Sequence, residues 1–325
     1  MTLVVLGIDA LDPELVATDE HPALTLAAHR SIDTIDSSAG EPSTHELWPT
    51  IITGRRPADH GLVLDDGVAW EHPVLRYGSH VADYVLSEEL QTRIGGWLLT
   101  RTSEDAFRVP ASYYADNDVP TVFDGRSSTA IGVPNYVTDP DDEDREHQLR
   151  RHMGELFERD AAATGGHRSA DPDRFYERCL EMAMVRIARV RRALRSRQYE
   201  LVFGYTSGLD LVGHVSYDRS DLQRRAYAEL DEFVGELRDD LGDGDELLLV
   251  SDHGLQEGLH THEAMVAATT STLVDSIGSV VGVKAAIEDE LASTDHRPTD
   301  RPTESAMADD ARGEVRDQLE DLGYL

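Results

Sequence analysis

Residues 246–254 read "ELLLVSDHG", a short apolar run that stops in a serine, a carboxylate, an imidazole and a glycine. A run apolar at successive positions keeps no face for water, so it fits a strand covered on both sides. The pattern recurs in "LVVLGID" at 3–9, "STAIGVP" at 128–134 and "ELVFGYTS" at 200–207. Helical stretches separate these runs. Buried strands alternating with helices predict an α/β fold with a mainly parallel central sheet flanked by helices.

A chain of 325 residues accommodates one large α/β domain with insertions, or two lobes. Segments 63–118 and 138–198 are more polar and less regular than the rest, which marks them as inserted cap segments over one sheet edge. The second ends in an amphipathic helix near 173–197, rich in arginine. Cations towards a helix C-terminus favour its dipole and pair with neighbouring acids, so the stripe reads as a solvated face. Residues 288–306 read as a loop or linker. Val315, Leu319 and Leu322 then return at helical spacing, predicting a last helix over 307–325 that docks on the core.

The formal net charge is −33, and Lys284 is the single lysine. Acid spread along the chain, with arginine kept and lysine nearly absent, describes a halophilic protein, whose self-repulsion concentrated salt screens. Such a surface repels nucleic acid and anionic lipid, so neither is expected as a bulk partner. Cys179 is the single cysteine, which excludes an intramolecular disulfide and a cysteine-based zinc site. With no basic start ahead of Asp9 and no apolar run long enough to span a bilayer, a cytoplasmic location is expected.

The chemistry-bearing residues gather at the ends of the predicted strands, where open α/β sheets bind their ligands. Asp9 follows the first strand. Asp252 and His253 follow "ELLLV", with Gly254 allowing the turn that lets both face one site. "DLVGH" places Asp210 and His214 after "ELVFGYTS", and "GLHTHEA" adds His260 and His262. Singly, each is an ordinary loop or capping residue. Together, these aspartates and histidines are what two adjacent divalent ions require, and mixed Asp/His ligation without thiolate suits zinc or manganese. In "STHELWPTIITG", 43–54, Ser43 and Glu46 fit a capping box, which makes Thr44 the first helical residue, beside the positive end of the dipole. Pro49 requires that helix to kink or to begin near Trp48, and Gly54 caps its far end.

In order and spacing, "GIDALDP", "THELWPTIITGRRPADHGL", "DLVGH" and "SDHG" resemble the alkaline phosphatase superfamily, in particular its type I phosphodiesterase/nucleotide pyrophosphatase branch. The resemblance spans nearly the whole chain and implies one domain over 1–325. It implies Thr44, not Ser43, as nucleophile, nine residues before Thr53. It implies one metal on Asp210, His214 and His260 and a second on Asp9, Asp252, His253 and Thr44, with His262 as the alternative late ligand. The implied activity is hydrolysis of a small-molecule phosphoester through a phosphothreonine intermediate. A phosphomonoesterase, a phosphoryl transferase or a non-catalytic metal-binding protein on the same scaffold are the alternatives.

Overall fold

The computed structural model describes residues 1–38, 40–63, 108–139, 148–149, 153–154, 156–160 and 162–293. The expected helix at 307–325, most of the insertion at 63–118 and the opening of the one at 138–198 lie outside the described residues. In chain order the strands are β1 Leu3–Ile8, β2 Ala28–Asp33, β3 Ser128–Ile131, β4 Glu158–Arg159, β5 His167–Arg168, β6 Leu201–Thr206, β7 Glu246–Val250, β8 Gly254–Gln256, β9 Leu259–Thr261 and β10 Glu263–Ala268. The α-helices are α1 Pro22–Thr25, α2 Thr44–Thr53, α3 Pro57–His60, α4 Ser112–Asp116, α5 Pro172–Ser196, α6 Gly208–Val215, α7 Ser220–Asp239, α8 Ser271–Asp275 and α9 Val283–Ser293.

Six strands form the central sheet in the order β2-β10-β7-β1-β6-β3. The four apolar runs of the sequence are its parallel strands β7, β1, β6 and β3, with Leu3 level with Leu201 on one side and Glu246 on the other. Only β10 is reversed, antiparallel to both β7 and β2. Alternate β1 residues serve two cores: Val4, Leu6 and Ile8 pack under α5 to α7, while Leu3 and Val5 pack under α2, α8 and α9. Each such fully buried side chain contributes roughly 1.5–3 kcal/mol relative to exposure, so both layers are pinned to the strands whose ends carry the predicted chemistry.

Asp171 starts α5 by accepting a hydrogen bond from the Arg174 N–H at 3.2 Å, with Pro172 in the first turn. Its C-terminal arginines pair with acids as the sequence suggests, whereas Arg186 departs from the solvated face: it is 3 % exposed, with its guanidinium packed against Gly132. Arg191 Nε and Arg195 each lie 2.6 Å from Asp240 at the end of α7, and Arg197 pairs with Asp245. Trp48 seats α2 on the opposite face, over Gly7, where a Cβ would stand 2.4 Å from the indole ring. That close approach brings the start of α2 to the end of β1.

Three local expectations change. Ser43 is the N-cap residue of α2 by backbone geometry, but its hydroxyl makes no cap hydrogen bond. Glu46 is fully buried and instead accepts from the backbone N–H and hydroxyl of Ser38, at 2.9 and 2.6 Å, so no capping box forms. Helix α2 also runs through Pro49 with neither a late start nor a break. Pro49 has no N–H for the carbonyl of His45, and the Asn135 side-chain amide donates to that carbonyl at 2.9 Å. Finally, 288–293 is not loop but the end of α9, whose Ile287 and Leu291 are buried and whose Lys284 and Glu288 pair at 2.6 Å.

Candidate metal centre

The C-terminal edge of the parallel strands gathers the predicted residues. Asp9 leaves β1, Asp252 and His253 leave β7, and Asp210 and His214 stand one turn apart on α6, which follows β6. The β8–β9 hairpin contributes His260, and Thr44 opens α2. Asp9, Asp252 and His253 are buried, with at most 1 % exposure. Two groups result, Asp210 with His214 and His260, and Asp9 with Asp252 and His253. Within each, one potential ligand atom per residue lies within 4.8 Å of the others.

The groups adjoin. His253 and His260 stack with ring centroids 4.0 Å apart, and His214 Nε2 stands 3.1 Å from His260 Nε2. Asp210 Oδ1 is 3.3 Å from His214 Nε2, and His253 Nε2 is 3.4 Å from Asp9 Oδ1. The Thr44 hydroxyl is 3.3 Å from both carboxylate oxygens of Asp9. Tyr205, which the sequence reading did not single out, donates its hydroxyl to Asp9 Oδ2 at 2.5 Å.

The donor atoms fit divalent cations. Each imidazole turns Nδ1 to a backbone carbonyl: His214 to Gly258 at 3.2 Å, His260 to Pro42 at 2.8 Å and His253 to Gly254 at 3.1 Å. A carbonyl only accepts, so Nδ1 carries the proton and Nε2 presents its lone pair inward, the arrangement that metal-binding histidines use. Among the described residues, the buried side-chain atoms without a hydrogen-bond partner include Asp210 Oδ1, both oxygens of Asp252 and His253 Nε2. Four such atoms facing one space would each cost about 1–3 kcal/mol unless a cation takes them.

Charge points the same way. Burial, and then the charge of Asp210, push the Asp9 carboxyl up to about 7. Burial with Asp9 and Asp210 drives Asp252 well above the usual carboxylate range. Burial, then the charge of His260, lowers His253 to about 3. Burial alone would lower His260 also, but the Asp210 carboxylate facing it at 3.7 Å raises it to about 9. Burial would raise Asp210, yet His214 and His260 hold it well below the usual range. Carboxylates this close ionise together only against added positive charge.

A family model described as type I phosphodiesterase/nucleotide pyrophosphatase matches residues 3–322. The chain belongs to this family. No curated protein matches the chain by sequence. Among solved structures, murine ectonucleotide pyrophosphatase/phosphodiesterase 5 is 16 % identical over 78 % of this chain and 57 % of its own, with a TM-score of 0.42. A protein from Pyrococcus horikoshii is 11 % identical over 92 % of this chain and 98 % of its own, at 0.43. An alkaline phosphatase from the Antarctic bacterium TAB5 is 11 % identical over 90 % and 98 %, also at 0.43. The chain thus spans little more than half the length of the murine enzyme.

In this phosphodiesterase-family chain the two late histidines part company. His260 faces Asp210 at 3.7 Å, whereas His262 is two-thirds exposed and pairs with Asp36 at 3.0 Å, outside both groups. His60, within the family-like "TGRRPADHGL", is not at the centre either. It is buried under α2, with Nε2 3.2 Å from the Thr50 hydroxyl and Nδ1 accepting from the Leu62 N–H. Among the described residues, no helix is long and apolar enough to cross a membrane.

Proposed function

We propose that the chain is a two-metal phosphoester hydrolase, a phosphodiesterase or nucleotide pyrophosphatase, with Thr44 as nucleophile. The observation that carries the reading is the Thr44 hydroxyl at the start of α2, 3.3 Å from Asp9 and beside two groups of three potential ligands each. Asp210, His214 and His260 hold one cation, and Asp9, Asp252 and His253, with Thr44, hold the other. Three aspartates and three histidines without thiolate suit zinc, with manganese as the alternative. Bound there, the cations supply Lewis acidity and positive charge for the phosphoryl oxygens.

The protein's own part is placement. Asp9 receives the Thr44 hydroxyl, Tyr205 fixes Asp9, and the N-terminal end of the α2 dipole favours negative charge at the threonine oxygen. Attack of Thr44 Oγ1 on phosphorus forms a phosphothreonine and expels the alcohol or phosphate leaving group. Water then cleaves the phosphorus–Oγ1 bond, restoring the hydroxyl and releasing a phosphomonoester from a diester substrate.

The substrate is a small phosphoester, and its charge follows from the surroundings. Among the described residues no hydrogen bond or ion pair joins a lysine or arginine to Asp9, Thr44, Asp210 or Asp252; Lys284 is engaged with Glu288 on α9. A monoester dianion calls for such a cation, while a diester carries one charge that the two metals balance. Bis-p-nitrophenyl phosphate is therefore cleaved with higher kcat/KM than p-nitrophenyl phosphate in high salt. Chelator abolishes both activities, and acid quenching of the diester reaction traps a p-nitrophenyl phosphoryl group on Thr44. Chelator-resistant turnover, or a phosphate-free Thr44 under quench, refutes the reading.

A further inference from the structure

Asp12 is a buried carboxylate for which the chemistry above has no use. It lies three residues beyond Asp9 and is 1 % exposed. Its oxygens reach across to both strands of the β8–β9 hairpin. Oδ1 accepts from Gln256 Nε2 at 3.1 Å and Oδ2 from the Thr261 hydroxyl at 3.4 Å. Gly254 leaves the room for this, since a Cβ there would stand 2.4 Å from Oδ2.

The near side is equally fixed. Asp12 Oδ1 accepts from the Glu14 N–H at 2.9 Å, and the Asp12 N–H donates to the Tyr227 hydroxyl at 3.0 Å. Tyr227 in turn donates to the Ala10 carbonyl at 3.5 Å, at a turn where Ala10 takes a left-handed φ of 59°. A non-glycine residue held there costs on the order of 1 kcal/mol, so the turn that delivers Asp9 is defined by its tertiary contacts.

The hairpin so tied touches all three inward-facing imidazoles. His260 is part of it, paired with Leu255. The carbonyl of Gly254 orients His253, and that of Gly258, in the hairpin turn, orients His214. Neither carbonyl can hold its histidine if the hairpin shifts. We infer that Asp12 is a positioning residue, binding the hairpin to the β1 turn and thereby presenting His214, His253 and His260 to the cations. This rests on the two-metal reading of the site.

The test strips full-length wild type and Asp12→Asn with chelator and measures reloading with zinc, and separately manganese, against a competing indicator. Urea unfolding of the stripped proteins is measured in parallel. Asp12→Asn, isosteric but uncharged, weakens metal binding about 10- to 100-fold and leaves the stripped unfolding midpoint near wild type. Thr261→Val combined with Gln256→Leu, which removes the tie from the hairpin side, does the same. A purely structural role would move the stripped midpoint and spare affinity. Metal affinity within twofold of wild type in either folded variant overturns the inference, as does failure of both to fold. Wild type that binds neither metal overturns the two-metal reading itself, a result distinct from wild type that binds and variants that bind equally well.

Discussion

Acidification offers a clean perturbation, because His60 is a buried imidazole outside the candidate metal centre. Burial lowers its pKa to about 4, against the smaller opposing effects of its backbone hydrogen bond to Glu46 and of the Glu46 and Asp59 charges. In the native state its Nδ1 accepts the Leu62 N–H, so protonation there must break that bond. An unfolded histidine titrates near 6.5, so between that pH and about 4 the unfolded chain binds a proton that the native state refuses. Native stability from this group is complete above pH 6.5 and is lost as pH falls towards 4. The difference between 6.5 and about 4 corresponds to about 3 kcal/mol. The comparison is wild type against His60→Gln, which keeps a donor for Thr50 and an acceptor for Leu62 but does not titrate. Urea unfolding in molar KCl at pH 7 and pH 4 gives the two stability differences, and the acid sensitivity of the candidate metal ligands cancels between the proteins. Wild type should lose about 3 kcal/mol more than the variant on acidification. A difference that stays constant within about 0.5 kcal/mol would refute a neutral, buried His60.

The two adjacent hydroxyls should behave oppositely. Thr44→Ala abolishes turnover while metal content and fold persist, whereas Ser43→Ala changes stability by less than about 0.5 kcal/mol, since its hydroxyl caps nothing; kinetics and metal analysis on both variants check this. Tyr205→Phe removes the donor to Asp9 and should weaken metal binding about tenfold, the equivalent of a charge-assisted hydrogen bond of about 1.5 kcal/mol, measured by indicator competition. With a net charge of −33, the melting temperature should climb steeply from dilute buffer to molar KCl; a flat profile contradicts the salt-adapted reading.

What could be read in the sequence follows from where each residue's partners lie along the chain. β1, β6 and β7 were legible because both their faces are buried, which writes an unbroken apolar run, and β3, at a sheet edge and buried only at Ile131, was marked by the weaker run "STAIGVP". β2 was not, since "AHRSID" lies at the sheet edge with four of its six residues exposed, and no alternation survives. β10 was missed for the opposite reason: "EAMVAA" is buried over five residues but rich in alanine, which favours helix over strand.

At the site the same distinction holds one layer deeper. Asp9, Asp252 and His253 follow their strands directly, so the sequence could set them at one sheet edge, where their conjunction with Asp210, His214 and His260, and not any one position, marked a candidate site. Tyr205 sits inside an apolar strand, where its ring accounts for its presence and its hydroxyl leaves no separate mark. Glu46 matched a local capping pattern, yet its carboxylate found the backbone N–H and hydroxyl of Ser38, eight residues back, a pairing that no local pattern marks. The carbonyls of Pro42, Gly254 and Gly258, which set the tautomers of all three histidines, are likewise anonymous. Every residue carries a carbonyl, so a second layer built from backbone has no alphabet of its own. Its position must then be enforced by side chains that do have one, and at this centre Asp12 spans from the β1 turn to both strands of the hairpin bearing two of those carbonyls, with Glu14 sharing the Gln256 amide at 3.0 Å.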